Sequence, residues 1–189
     1  MKIYLVRHAE TDANANGILQ GQRENLQLNE YGVREATRLK QKLKDISFDA
    51  CYTSPLVRAW STAIILAGDK TVISEDKRLI ERYLGQFEGA PRQEYSVKKY
   101  WDYPLNSGNG DVEKIQDIFT RCEDFLQDVI PKHEDTDTIL IVAHGAVVRA
   151  LHHILKKTDR KKNLLGFSIP NCFCKEYQVQ KEDFTHERG

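Results

Sequence analysis

A chain of 189 residues is long enough to bury roughly 70% of the surface its unfolded form exposes, so a core can form without disulfides or a structural metal. Lysine plus arginine and aspartate plus glutamate both number 28, a balance that gives no general attraction to nucleic acid or an acidic membrane. Useful positive charge must be local. The four cysteines, Cys51, Cys122, Cys172 and Cys174, are too few and too unevenly spaced for a secreted disulfide scaffold and fit reduced thiols. The chain does not open with a basic region followed by a long apolar one, so no signal peptide is read, and the longest apolar runs, 63–67 and 139–143, are far too short to span a bilayer. A soluble cytoplasmic protein is expected.

Residues 2–6, KIYLV, form a short apolar run that reads as a buried first strand, with His8 just past its end, where sites form in α/β sheets. Asp12 to Asn29 is rich in Asn, Gln and Gly without periodicity and reads as a loop over the site. Ala36, Leu39, Leu43 and Ile46 then give one apolar face to a helix over Glu30 to Lys44, with Asn29 as its cap. A strand over 49–53 leads into a helix ending near Ala67, with Pro55 in its first turn and Ser54 as its expected cap. The stripe from Val112 through Ile115, Phe119, Cys122 and Leu126 to Ile130 predicts an amphipathic helix of about five turns, stopped at Pro131. TILIVA, 138–143, is a buried strand, the run from Gly145 to Leu155 a helix, and 172–179 a last strand before a polar tail from about 181. Alternation within Cys172-Phe173-Cys174 places both thiols on one strand face, as packing rather than metal ligands. Alternating strands and helices imply a single domain with a mainly parallel sheet covered on both faces, a three-layer α/β/α sandwich.

Four segments carry chemistry: LVRHAET (5–11), SPLVRAWSTA (54–63), LIERYLGQFEG (79–89) and IVAHGAVVRAL (141–151). The first and last each put a histidine just beyond an apolar strand, and the second puts Arg58 one turn into a helix leaving another strand. Three strand ends would converge on one edge. Phosphoryl transfer needs a nucleophile, cations around the equatorial oxygens and an acid for the leaving oxygen. His8 suits the attack if its other ring nitrogen donates to a backbone carbonyl. Arg7 and Arg58 offer forked donors to phosphate oxygens. His144, if protonated beside a phosphate dianion, is a further donor, Gly145 admits close approach of the backbone, and Glu81 is the acid, with Glu88 in reserve.

Together these motifs resemble the histidine phosphatase superfamily, the phosphoglycerate mutase-like group, over most of the chain. The first motif corresponds to Arg7, His8, Ala9, Glu10 and Thr11, the middle one to Ser54 through Ala59, the acid segment to Glu81, Gly85, Glu88 and Gly89, and the last to His144, Gly145, Arg149, Ala150 and Leu151. The resemblance implies a Rossmann-like sheet, a phosphorylated His8, phosphate binding by Arg7, Arg58 and His144, proton donation by Glu81, and no metal or other cofactor. It also puts Asn14 and the Gln20-Gly21 pair on the pocket-lining loop. The chain departs from the pattern at Ala9, where the signature has glycine, in a longer 21–28 loop with Asn25 where an aspartate often stands, and at Gly110, Asp111 and Val112, where Gly-Glu-Ser is expected.

The remaining polar residues read as structural. His152 and His153 are adjacent on a helix and point to different faces, so they do not form an i, i+4 metal pair. His133 and His186 carry no hypothesis, and 156–162 is a solvated basic run. The sequence therefore points to hydrolysis of a small phosphomonoester through phosphohistidine. A phosphoglycerate mutase is the first alternative, disfavoured by the short segment between acid and second histidine and by Arg82-Tyr83-Leu84 after the acid, where mutases carry Arg-His-Tyr. A non-catalytic phosphate-binding protein is the second. Sugar phosphates, α-ribazole phosphate, phosphoserine and phosphoglycerates are all candidate substrates. Lys98, Lys99, Tyr100, Trp101 and Tyr103, in the cap-like segment 91–111, are candidates for contacting them.

Overall fold

The computed structural model describes residues 1–108 and 111–184. Gly110 of the departing motif, His186 and the last residues of the polar tail lie outside the described residues. The strands are β1 (Lys2–Arg7), β2 (Ala50–Thr53), β3 (Ile73–Glu75), β4 (Thr138–Ala143) and β5 (Cys174–Gln178). They form one sheet in the order β3-β2-β4-β1-β5, parallel throughout except for β5, which runs antiparallel to β1. Helices α2 (Glu30–Lys42), α3 (Val57–Ala67), α5 (Ile115–Val129) and α6 (Gly145–Leu155) cover it, and the short α1 (Asp12–Ala15) and α4 (Val97–Tyr100) belong to segments above its edge.

The layering follows from the two-residue period of the central strands. Ile3, Leu5, Ile139 and Ile141 face one way, into a cluster with Ile118, Phe119 and Phe125 of α5 and Val147 and Leu151 of α6. Tyr4, Val6, Leu140 and Val142 face the other way, against Leu39 of α2 and Ala59 and Ala63 of α3. Strands buried on both faces carry continuous apolar runs, as β1 and β4 do. The expected sandwich is the observed one.

Several local expectations are corrected. The 12–29 loop opens with α1, because Thr11 and Asn14 form a reciprocal capping box that supports a turn without apolar periodicity. Ser54 does not cap α3. Leu56 occupies the cap position, and the first helical N–H, on Val57, donates to Asn25 Oδ1 at 2.7 Å. Helix α2 stops at Lys42, and α5 starts at Ile115, leaving Val112 to pack instead with Leu84 and Tyr95 in a third cluster. Strand β5 begins at Cys174 because Cys172 holds φ +50, outside the extended region. Cys172 and Cys174 nevertheless both pack against the α2–α3 cluster. The edge strand β3 was not expected, being only three residues long with little burial.

Residues 91–108 bring Arg92, Tyr95, Val97 and Trp101 to the cavity beyond the sheet edge, and the chain beneath them is braced. Gly85, at φ +55, lies so close to the Asp111 carbonyl that a Cβ would fall 1.3 Å from its oxygen, so only glycine fits there. Buried Arg82 donates to the carbonyls of Glu113 and Tyr100. Tyr95 and Tyr100 stack at 4.8 Å. Among the described residues, no helix is long and apolar enough to cross a membrane.

Candidate active site

The parallel register sets the site. Arg7 pairs with Ala143 at the ends of β1 and β4, so the next residues, His8 and His144, leave neighbouring strands side by side with ring centroids 5.1 Å apart. The ladder runs on into the turn: His8 N–H donates to the Ala143 carbonyl at 2.9 Å, and Ser54 N–H to that of Val142 at 3.2 Å. Adjacent strands thus deliver His8, His144 and Ser54 to the carboxyl edge, the usual place for ligands in such sheets. Helices α3 and α6 begin there and turn their positive ends to the same space.

His8 is buried, and its Nδ1 lies 2.7 Å from the Ala9 carbonyl oxygen. A carbonyl only accepts, so Nδ1 carries the proton and Nε2 keeps its lone pair. Burial first, then Arg7 and Arg58, hold the imidazole well below its ordinary pKa, so it is neutral. Thr62 fixes the turn beneath it, accepting from Ala9 N–H at 3.0 Å and donating to the Arg58 carbonyl at 2.7 Å.

The cations are held by carbonyls. Arg7 Nη1 donates to Ile169 O at 2.7 Å, and Arg58 donates to Gly21 O at 2.9 Å and Glu24 O at 3.1 Å. The Nε–H of each is buried with no protein partner. Buried His144 is a third such case: its Nε2 meets Ser54 Oγ at 2.7 Å while Nδ1 has no partner. Burial, then Arg58, keeps this imidazole well below its ordinary pKa. These protein groups by themselves leave the ring neutral. If the Ser54 hydroxyl donates to Nε2, the proton sits on Nδ1, and a donor is available without a charge.

Glu81 accepts from Arg82 N–H at 2.8 Å and Ala146 N–H at 3.2 Å, and burial pushes its pKa up against these donors and the nearby arginines. Glu88 is otherwise engaged: its carboxylate takes the N–H groups of Gln22, Arg23 and Leu84, fastening the 21–23 turn to the acid segment. That is a structural post and not a free acid.

Arg7, His8, Asn14, Gln20, Arg58, Glu81 and Gly145 all line one cavity of about 170 Å³. Both polar atoms of the Gln20 amide are buried there without protein partners. Gly21 and His144 stand one step back from the wall, Gly21 through the carbonyl that holds Arg58. Gly145 has no close backbone neighbour; a Cβ there would stand 3.8 Å from Arg7 Nε and Glu81 Oε2, so the glycine leaves open space inside the cavity.

Of the cap segment, Trp101 and Tyr95 reach the cavity, with Arg92. Lys98 and Lys99 are exposed, and Tyr103 packs on Phe119. Three residues escaped the sequence reading of the site: Arg92, Ile169, whose carbonyl anchors Arg7, and Asn171, whose Nδ2 donates to His8 O at 3.0 Å and Asn14 Oδ1 at 3.1 Å. The signal for Asn171 is only that it precedes the last strand on the side next to β1. His153 bonds Leu164 O, and His133 bridges Tyr52 and Asp137. Arg160 of the basic run is not simply solvated, since it pairs with Glu123.

A neutral histidine with a free lone pair, buried donors without protein partners and a carboxyl with a raised pKa together define a phosphoryl-transfer type of site on an α/β/α sandwich. Comparison with known proteins reaches the same class. The profile of the histidine phosphatase superfamily (branch 1) matches residues 3–188, and the chain belongs to that family. It is an enzyme of the histidine phosphatase type acting on small phosphorylated metabolites. It is 41% identical over 175 residues to the 2,3-bisphosphoglycerate-dependent phosphoglycerate mutase of Thermoplasma acidophilum, covering 90% of this chain and 84% of that one. It is 33% identical over 180 residues to a metal-independent phosphoserine phosphatase of Arabidopsis thaliana, covering 89% and 74%. Among solved structures, Bacillus stearothermophilus YhfR superposes with a TM-score of 0.83 at 30% identity, covering 95% of this chain and 91% of that one.

Proposed function

We propose that this protein is a cytoplasmic, single-domain phosphomonoester hydrolase that works through a phosphohistidine at His8. The observation that carries the reading is the His8 ring, with Nδ1 locked on Ala9 O and its opposite nitrogen free in a cavity walled by Arg7, Arg58 and Glu81. His8 Nε2 attacks phosphorus, and the bond from phosphorus to the ester oxygen breaks. Protonated Glu81 gives its proton to the departing alkoxide. Water then loses a proton to the Glu81 carboxylate and attacks the phosphohistidine, the N–P bond breaks, and neutral His8, protonated Glu81 and inorganic phosphate remain. Arg7, Arg58 and His144 Nδ1–H hold the equatorial oxygens as charge redistributes, with Asn14 and Gln20 completing the wall.

The identity to a mutase favours one alternative, return of the phosphoryl group to another hydroxyl of the substrate. Hydrolysis of p-nitrophenyl phosphate in EDTA by the wild type and His8→Ala decides first. Turnover lost in the variant supports the reading, and equal turnover in both sinks it. Phosphoglycerate interconversion that depends on bisphosphoglycerate and outpaces phosphate release would establish the mutase.

A further inference from the structure

Asn171 lies outside the four motifs and has no part in the mechanism above. It stands just before the turn into β5, where Cys172 holds φ +50. That turn lays the edge of the sheet against the end of β1: Arg7 N–H donates to Phe173 O at 3.0 Å, and Cys172 N–H to His8 O at 3.3 Å. The half-buried Asn171 side chain is thereby set between the backbone of the nucleophile and the first turn of α1.

Its contacts fix which way its carboxamide points. One atom of the amide faces His8 O at 3.0 Å and Asn14 Oδ1 at 3.1 Å. A backbone carbonyl only accepts, so that atom is the nitrogen, and both of its hydrogens are engaged. The same reasoning fixes Asn14. Its amide faces Thr11 N–H at 3.2 Å, which only donates, so the facing atom is the oxygen. That oxygen takes a second hydrogen from Thr11 Oγ1 at 3.1 Å and a third from Asn171. Thr11 belongs to the same helical turn as Asn14 and moves with it. Asn171 is the donor that comes from elsewhere, 157 positions along the chain.

The donor end of the Asn14 carboxamide has no protein partner among the described residues, and Asn14 lines the cavity that holds His8. Which end faces that cavity matters, because an amide oxygen turned toward a phosphate repels it, whereas an N–H attracts it.

We infer that Asn171 is a positioning residue, which locks the Asn14 carboxamide with its N–H donors toward the cavity and ties them to the backbone of His8. Donor and nucleophile are then held in one frame. This role rests on the reading of the cavity as a phosphoryl-transfer site in which Asn14 meets the phosphoryl oxygens.

A double-mutant cycle tests it, with kcat/KM for p-nitrophenyl phosphate measured in wild type, Asn171→Ala, Asn171→Leu, Asn14→Ala and Asn14→Ala combined with Asn171→Ala. Asn171→Leu keeps a γ-branched side chain of similar size without the donor. Loss of a direct donor costs 10²–10³ in rate, and loss of its anchor, with Asn14 still present, should cost about tenfold in both Asn171 variants. In the Asn14→Ala background the Asn171 substitution should change kcat/KM by less than about threefold, because its effect passes through Asn14. Circular dichroism sets a temperature at which every variant is folded. A side chain that served stability alone would lower Tm and leave kcat/KM at that temperature unchanged. A value within twofold of wild type in either Asn171 variant overturns the inference, and so does a loss that multiplies in the double variant. If the wild type does not hydrolyse p-nitrophenyl phosphate, the hydrolase reading fails separately. Calorimetric affinity for inorganic phosphate in the same proteins then decides. A fall of about tenfold on Asn171 substitution, absent from the Asn14→Ala background, supports the role, and an unchanged affinity overturns it.

Discussion

Ser54→Ala isolates one feature of the site, the tautomer of His144. The substitution removes the hydroxyl facing His144 Nε2 at 2.7 Å and the acceptor for Leu56 N–H at 3.2 Å. Leaving one buried ring nitrogen without a partner costs about 1–3 kcal/mol, and loss of a contact at the entry to α3 adds on the order of 1 kcal/mol. About 2–4 kcal/mol of stability should go, lowering Tm by roughly 4–16 °C for a chain of this size. The effect on rate has a different origin. Without the hydroxyl the proton is free to move to Nε2, and the Nδ1 donor is then lost for part of the population. Removal of one preorganised donor costs 10²–10³ in rate, so a partial loss should lower kcat/KM by about tenfold at temperatures where the variant is folded. Thermal unfolding followed by circular dichroism, with p-nitrophenyl phosphate kinetics well below the transition, reads both. A variant that loses stability yet keeps kcat/KM within twofold would refute the assignment of Nδ1–H as a phosphate donor.

Burial acts oppositely on the two titrating groups: it moves His8 down from 6.5 and Glu81 up from 4.5. The shifts favour the state with His8 neutral and Glu81 protonated, so kcat/KM should rise as His8 loses its proton and fall as Glu81 loses its own. Glu81→Gln should abolish the alkaline fall while lowering kcat by 10²–10⁴; a profile of unchanged shape removes Glu81 from the role of acid. Gly85→Ala should cost more than about 3 kcal/mol, because the positive φ and the Asp111 carbonyl both reject a methyl. A denaturation midpoint near wild type would contradict that. Gly145→Ala should fold normally, since its methyl meets only ordinary contacts, but it narrows the cavity between Arg7 and Glu81 and should raise KM several-fold, measured with p-nitrophenyl phosphate.

The sheet was legible because β1 and β4 are apolar on both faces, and α5 and α6 because their stripes are long. His8 and His144 followed from their positions one residue beyond those strands. The residues that hold the site were less visible, for a physical reason: they act through backbone atoms. Ile169 and Gly21 contribute carbonyls, which any residue type possesses. Asn25 does act through its side chain, but on a helix N–H 32 positions away. The same blindness assigned Ser54 to a helix cap. A serine before Pro55 carries that signal whether its hydroxyl serves the helix or a histidine brought beside it by another strand. Arg92 follows Pro91 in a turn without periodicity, so only the folded chain brings it to the cavity.

The manner in which the arginines are anchored bears on function. Arg7, Arg58 and Arg149 each give guanidinium hydrogens to main-chain carbonyls and none to a carboxylate. A carbonyl dipole orients a guanidinium without cancelling its charge. A carboxylate anchor would hold it as firmly but would compete with every phosphate that arrived. The cost is burial first and then mutual repulsion, seen in the lowered pKa values of all three. An arriving dianion relieves that repulsion, and it does so most where the cations are already fixed. The fixed charges that favour the phosphate also keep His8 neutral, so the groups that bind the electrophile preserve the lone pair that attacks it.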